Sequence, residues 1–325
     1  VSEVLTGRRR QGIPIMIALA VITLLITACG PGAGAEPTAA DRPELTIEHT
    51  FGSTVLPVKP ERVITFSAPW TDALIALDVP ITAEFVTRNY SGDNGRFPWT
   101  PEHRSEVVVG DDIDYEKLAA LQPELILAGY QTKETYDRLA AIAPTIPVID
   151  STAVLDTWQQ VTETAGMIFD RQAEAAALIT GVTQQIDAFR ADFPAAAGKT
   201  FSYGQFTGDQ FGLVAAATDP AARTLGELGL TLDPRSTKEG KGSARVLVSL
   251  EKVEVLAADL VIMWPLTGGE EVLKDVVGWS DLAAVRRGSY VIVDDTTASA
   301  LASPSIYSVP WALEHQLRPA FGKLR

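Results

Sequence analysis

At 325 residues the chain is long enough for two domains of ordinary size, each burying its own core. Hydrophobic residues at 46% and charged residues at 21% fit a globular fold rather than a disordered one. The formal net charge of -14 argues against a nucleic-acid partner, which would need clustered Lys and Arg.

The chain begins with Arg8, Arg9 and Arg10, an apolar run from Ile13 to Ile26, and then Ile26-Thr27-Ala28-Cys29. A basic start, a hydrophobic core about half a membrane span long and small residues at the cut read as an export signal over residues 1–28. A retained membrane anchor is the rival reading, but the run is short for a span. Cys29 is the only cysteine, so no intramolecular disulfide and no thiolate zinc site can form. Its place after an I-T-A triplet resembles a bacterial lipobox, which makes Cys29 the expected site of lipidation and membrane attachment. The arginines leave Sec and twin-arginine export both open. Residues 29–43, rich in Gly, Ala and Pro, read as a flexible tether.

The segments Leu45 to Phe51 and Thr54 to Val58 alternate about Gly52-Ser53 and predict a β-hairpin. Strands are expected at Val63 to Phe66, Ile81 to Val86, Pro123 to Ala128 and Ile146 to Ile149. Helices are expected from Pro69 to Leu77, Asp114 to Leu121 and Thr132 to Ala143, with Asp72 as a first-turn acid and Thr87 to Ser105 irregular. Alternating strands and helices point to a parallel sheet covered on both faces, an α/β lobe over residues 44–169.

Residues 170–194 are organised differently. Leu178, Val182, Ile186, Phe189 and Phe193 repeat at the helix period, with Asp170 as the expected cap and Pro194 and Gly198 as the stop. Such a helix runs about 35 Å and joins two α/β lobes, although the pattern also fits a long surface helix within one domain.

From 195 to 325 the alternation resumes. Strands are expected at Thr200 to Tyr203, Arg245 to Ser249, Leu260 to Trp264 and Tyr290 to Val293. Helices are expected at Ala221 to Leu228, Leu250 to Ala257 and Ser305 to Leu317. Tyr115-Glu116-Lys117-Leu118 and Leu250-Glu251-Lys252-Val253 are each followed by an acid-led apolar strand, with the two acids eight residues apart in both halves. This repeat suggests related lobes about a pseudo-twofold.

Catalytic patterns are missing. His49, His103 and His315 lie far apart and form no ligand spacing, so a bare zinc or manganese receptor is disfavoured. Gly198-Lys199-Thr200 resembles the end of a P-loop, but Phe193 stands where its first glycine is required. No G-x-S-x-G elbow occurs, and no G-x-G-x-x-G follows a strand. Nothing selects an acid/base pair, so no catalytic residue is assigned.

Several segments in order resemble the ferric-siderophore and cobalamin receptors of bacterial ABC importers. They are GSTVLPVKPERVI at 52–64, YEKLAALQPELIL at 115–127, LAAIAP at 139–144, LGELG at 225–229 and the stretch 249–262. The resemblance covers nearly everything from Leu45 onward. It implies an α/β fold of two lobes with mainly parallel sheets joined by one long rigid helix, the class III periplasmic binding protein architecture. It also implies an extracytoplasmic, non-catalytic monomer that delivers its ligand to a permease dimer with ATPase subunits. Glu116 and Glu251 match the family's permease-docking glutamates; the plain alternative is that each complements a helix dipole.

The ligand is expected between the lobes, beyond the carboxyl ends of the strands. Trp70, Arg88, Tyr90, Trp99, Tyr130, Tyr203, Gln205, Arg245, Trp264 and Tyr307 are the candidate contacts, with Trp99 at the rim and Asn89 and Gln131 beside them. Arg88, Arg96 and Arg245 are the expected cations, and Trp158, Trp279 and Trp311 are assigned to packing. Without a dense basic cluster, a hydroxamate or mixed-type ferric siderophore fits better than a tris-catecholate. Haem and cobalamin remain alternatives in the same fold. An α/β enzyme with its active site in the cleft is the rival of another class, and a surface interaction protein that has lost its ligand is a third.

Overall fold

The computed structural model describes residues 44–56, 59–87 and 95–325; Cys29, the export signal and the tether lie outside the described residues. Strands β1 (Leu45–His49) and β2 (Gly52–Leu56) form an antiparallel hairpin. Its turn is Thr50-Phe51, not Gly52-Ser53, because Gly52 pairs with His49 and opens the second strand.

In the N-terminal lobe β3 (Val63–Thr65), α1 (Ala68–Ala76), β4 (Ala83–Thr87), β5 (Glu106–Gly110), α2 (Tyr115–Ala120), β6 (Leu125–Gly129), α3 (Lys133–Ala140) and β7 (Thr145–Pro147) follow in order. The sheet runs β5-β4-β3-β6-β7 and every pair in it is parallel. Successive residues point to opposite faces, as the pleat requires. Val63, Leu125 and Leu127 join a core with α1, while Ile64 and Ile126 join the core on the other face with Leu118 and Leu139. The strand β5 was not expected from sequence: its Val107, Val108 and Val109 follow a polar segment and are only half-buried at the sheet edge.

Helix α4 (Trp158–Ile168), also not expected, leads into the long helix α5 (Gln172–Asp192). Asp170 does not cap α5. It takes a left-handed conformation with φ of 57°, and the Arg171 amide bonds back to the Gly166 carbonyl at 2.8 Å. That closes α4 as a Schellman motif, a position aspartate tolerates better than most side chains. Ala175 of α5 packs in the N-terminal core, Val182, Ile186 and Phe189 pack in the C-terminal core, and Leu178 touches both. One helix of 21 residues, about 30 Å, is thereby anchored in the cores of both lobes.

The C-terminal lobe contains β8 (Thr200–Phe206), β9 (Gln210–Val214), α6 (Pro220–Glu227), β10 (Thr231–Leu232), α7 (Pro234–Gly240) and β11 (Arg245–Ser249). It continues with β12 (Leu260–Pro265), β13 (Tyr290–Ile292), α8 (Asp295–Ala302) and α9 (Ser308–Ala312). The sheet order is β11-β9-β8-β12-β13, with β10 beside the start of β8. β9 runs antiparallel to its neighbours and the remaining pairs are parallel. Leu250–Leu256 forms a 3-10 helix interrupted at Lys252, not the expected α-helix.

Setting aside the short β10, both sheets place their first strand in the middle, the next two on one side and the last two on the other. The sequence repeat falls on equivalent strands of this shared order, β6 and β12. Its second acid does the same work twice: Glu124 accepts from the Glu61 and Arg62 amides before β3, and Asp259 accepts from the Thr200 amide opening β8. Each carboxylate ties the strand next to the central one to the central strand's head.

Candidate ligand-binding site

In the N-terminal sheet the strand order reverses between β3 and β6, which leaves a crevice beyond their carboxyl ends. Ser67 follows β3 there and Gly129 ends β6. Gly129 has φ of +62°, and a Cβ on it would stand 2.9 Å from the Ser67 hydroxyl oxygen, so the two loops meet only because no side chain intervenes. A cavity of about 530 Å³ opens at this point, walled by Phe66, Thr71, Phe85 and Tyr130 on one lobe and by Gln205, Arg245, Trp264 and Ala302 on the other. A second compartment of about 270 Å³ shares Gln205, Arg245, Trp264 and Ala302 and reaches Tyr203 and Leu247.

Of the sequence candidates, Tyr130, Gln205, Arg245 and Trp264 line the main cavity and Tyr203 the second compartment. Tyr130 is 60% exposed and presents its ring freely. Trp264 is almost covered, its indole N–H donating to Asp295 at 2.8 Å. Tyr203 is buried, its hydroxyl donates to the Ala298 carbonyl at 3.3 Å, and burial pushes its pKa upward. Arg96 lines the cavity too. Arg88, Asn89 and Tyr90 lie outside the described residues.

Three expectations are corrected. Trp70 is only 1% exposed and packs inside the N-terminal core, since α1 turns it inward against Leu127 and Ile146 rather than toward the cavity. Trp99 is not at the rim: it is buried against Phe97 and Trp311, and its indole N–H donates to Asp72 at 3.0 Å. Tyr307 is half-buried against the C-terminal core and does not line the cavity. Trp158 and Trp279 are buried, and Trp311 packs at the edge of the same core.

Two carboxylates at the cavity wall were not singled out from sequence as site residues, and the expectation of Asp72 as a first-turn acid is not met. Asp72 lies beyond the first turn of α1, fully covered, and accepts hydrogen bonds from Trp99, from Thr100 at 2.8 Å and from Ser305 of the other lobe. Burial pushes its pKa up to about 6, against the pull of those three donors and with help from the nearby charge of Glu84. Glu84, on β4, contacts His103 at 2.5 Å, Arg96 at 3.5 Å and Ser105. On the facing lobe Arg245 donates to the buried carboxylate of Asp219 at 3.0 Å, while Asp219 also caps α6 through the Ala221 amide. Only a sequence signal for burial would have found these acids, and an acid next to an apolar helix face gives none.

Glu116 sits in the first turn of α2 and Glu251 in the first turn of the 3-10 helix; both are exposed and neither forms an ion pair with a described residue.

The sequence profile of a family described as periplasmic binding protein matches residues 87–297. The chain is 26% identical over 163 residues to the petrobactin-binding protein YclQ of Bacillus subtilis, covering 49% of this chain and 50% of that protein. It is also 26% identical over 189 residues to the iron(3+)-hydroxamate-binding protein YxeB of the same organism, covering 57% and 52%. The matched stretch thus spans about half the length of these two curated relatives. Among solved structures, Streptococcus pneumoniae PiaA in complex with ferrichrome superposes with a TM-score of 0.70 at 24% identity, over 86% of this chain and 99% of that one, which shows the fold.

Proposed function

The chain belongs to the periplasmic binding protein family, and from that premise we propose that it captures a ferric siderophore between its lobes and delivers it to an ABC importer. The observation that carries the reading is the cavity of about 530 Å³ opening at the strand ends between two lobes that share one helix. Its size is that of a small-molecule site, and its wall mixes aromatic rings with a few fixed polar groups. Because α5 is anchored in both cores, the cleft is preformed and little ordering is lost when a ligand enters. The relatives named for petrobactin and iron(3+)-hydroxamate support the class of ligand.

The protein acts outside the cytoplasm, held to the outer face of the cell membrane through a diacylglyceryl group on Cys29. Glu116 and Glu251, one exposed acid on each lobe, grip arginines of the two permease subunits. No catalytic step is assigned to the cleft.

Incubation of residues 30–325 with a ferric trihydroxamate, followed by gel filtration, tests this reading. One iron per protein should co-elute, and the complex should be recovered chemically intact. Elution of protein without iron across a panel of ferric siderophores would reject the reading, and recovery of a cleaved chelate would replace it with an enzyme.

A further inference from the structure

Both arginines among the described residues of the cavity wall are already answered by a carboxylate of their own lobe. Arg96 faces Glu84, whose side chain is buried and also receives His103 and Ser105. Arg245 faces Asp219, whose side chain is 1% exposed. A third carboxyl, Asp72, lies at the same wall. The described wall therefore brings two guanidinium groups and two carboxyl groups to the cavity, with Asp219 behind them.

We infer that Glu84 and Asp219 are specificity residues that cancel the cleft arginines and so select an electroneutral ferric complex over a polyanionic one. This rests on the siderophore-binding reading and narrows it. Three hydroxamates, each losing one proton, neutralise Fe(III) and give a complex of charge zero. Three catecholates, each losing two, leave the complex at three negative charges. A site for the trianion needs guanidinium charge in excess. Here each guanidinium is instead offset by its own carboxylate, so the wall presents hydrogen-bond donors without a net attractive field. Buried carboxylates next to the ligand also repel an anion in a medium that screens poorly.

The test compares two probes, a neutral ferric trihydroxamate and a trianionic ferric tris-catecholate, by tryptophan quenching at low salt. It uses the wild type, Glu84→Gln and Asp219→Asn. Asp219→Asn keeps a side-chain oxygen for the Ala221 amide, so the helix cap survives and the charge alone is removed. The wild type should prefer the neutral complex by at least about tenfold, and each substitution should move the ratio of the two dissociation constants about tenfold toward the trianion. That movement should shrink at high salt. A wild type that prefers the trianion, or a ratio unmoved in both variants, overturns the inference while leaving siderophore binding intact. Binding of neither probe, by contrast, removes the siderophore reading itself and the inference with it.

Discussion

The buried carboxylate of Asp72, on a helix of the N-terminal lobe, accepts a hydrogen bond from the hydroxyl of Ser305, 233 residues later on the C-terminal lobe. With Trp99 and Thr100 as its other donors, Asp72 ties an N-terminal loop and the opposite lobe together beside the cavity.

This junction has a defined pH dependence. The native pKa of Asp72 is pushed up to about 6 from 3.8, so the folded protein holds this proton more tightly than the unfolded chain does. Its stabilising contribution is complete below 3.8 and is lost as pH rises through 6, by on the order of 3 kcal/mol. Asp72→Asn removes the titration and can keep the three contacts, because the Thr100 hydroxyl can accept from the new amide. Urea unfolding at pH 4 and pH 8 should show the wild type losing stability relative to the variant at the higher pH. Parallel pH profiles would mean that Asp72 carries no desolvation penalty.

Gly129→Ala should destabilise the fold by about 1–2 kcal/mol and weaken ligand binding, because φ of +62° strains an alanine and its methyl group would displace Ser67 at the cavity floor. Denaturant midpoints and a binding titration check the two effects. Wild-type stability in the variant would show that the loop relaxes freely.

Gly181→Ala should act in the opposite direction. The residue lies within α5 with open space where a Cβ would project, so alanine should add about 0.5–1 kcal/mol. A raised midpoint with unchanged affinity is expected. A lowered midpoint would point to a packing constraint on this face of the helix.

The fold class was legible because apolar runs with period 2 and period 3.6 alternate along the chain, and because the helix period over Leu178 to Phe193 is long and unbroken. What escaped was local. β9 carries Gly212 and sits between two antiparallel partners, and β5 follows irregular chain, so neither announces itself by composition. Tyr130, Gln205 and Trp264, which line the cavity, were chosen by counting toward the ends of predicted strands, whereas Arg245 was chosen for its charge at the start of one. Trp70 was placed wrongly by the same rule: it lies inside α1, where rotation about the helix axis rather than strand register decides direction. Trp99 was misplaced at the rim, since the partner that holds it inside, Asp72, is distant in sequence. Glu84 and Asp219 were not singled out at all, because nothing in the local sequence marks either acid as covered.

Reversing the charge at both Glu116 and Glu251 should abolish uptake of the ferric complex by cells and leave the affinity of the isolated protein within about twofold, because both side chains are exposed and neither lines the cavity. Uptake of labelled iron and a ligand titration on the same variant separate docking from capture. Undiminished uptake would remove the docking role.

The central claim, that ligand is held in the cleft between the lobes, is tested most directly by titrating residues 30–325 with a ferric trihydroxamate while following tryptophan fluorescence in the wild type, Trp264→Ala and Arg245→Ala. Saturable one-to-one quenching in the wild type, weakened at least about tenfold in both variants, is the predicted result. Equal affinity in all three proteins, or no saturation by any ferric chelate, haem or cobalamin, would contradict it.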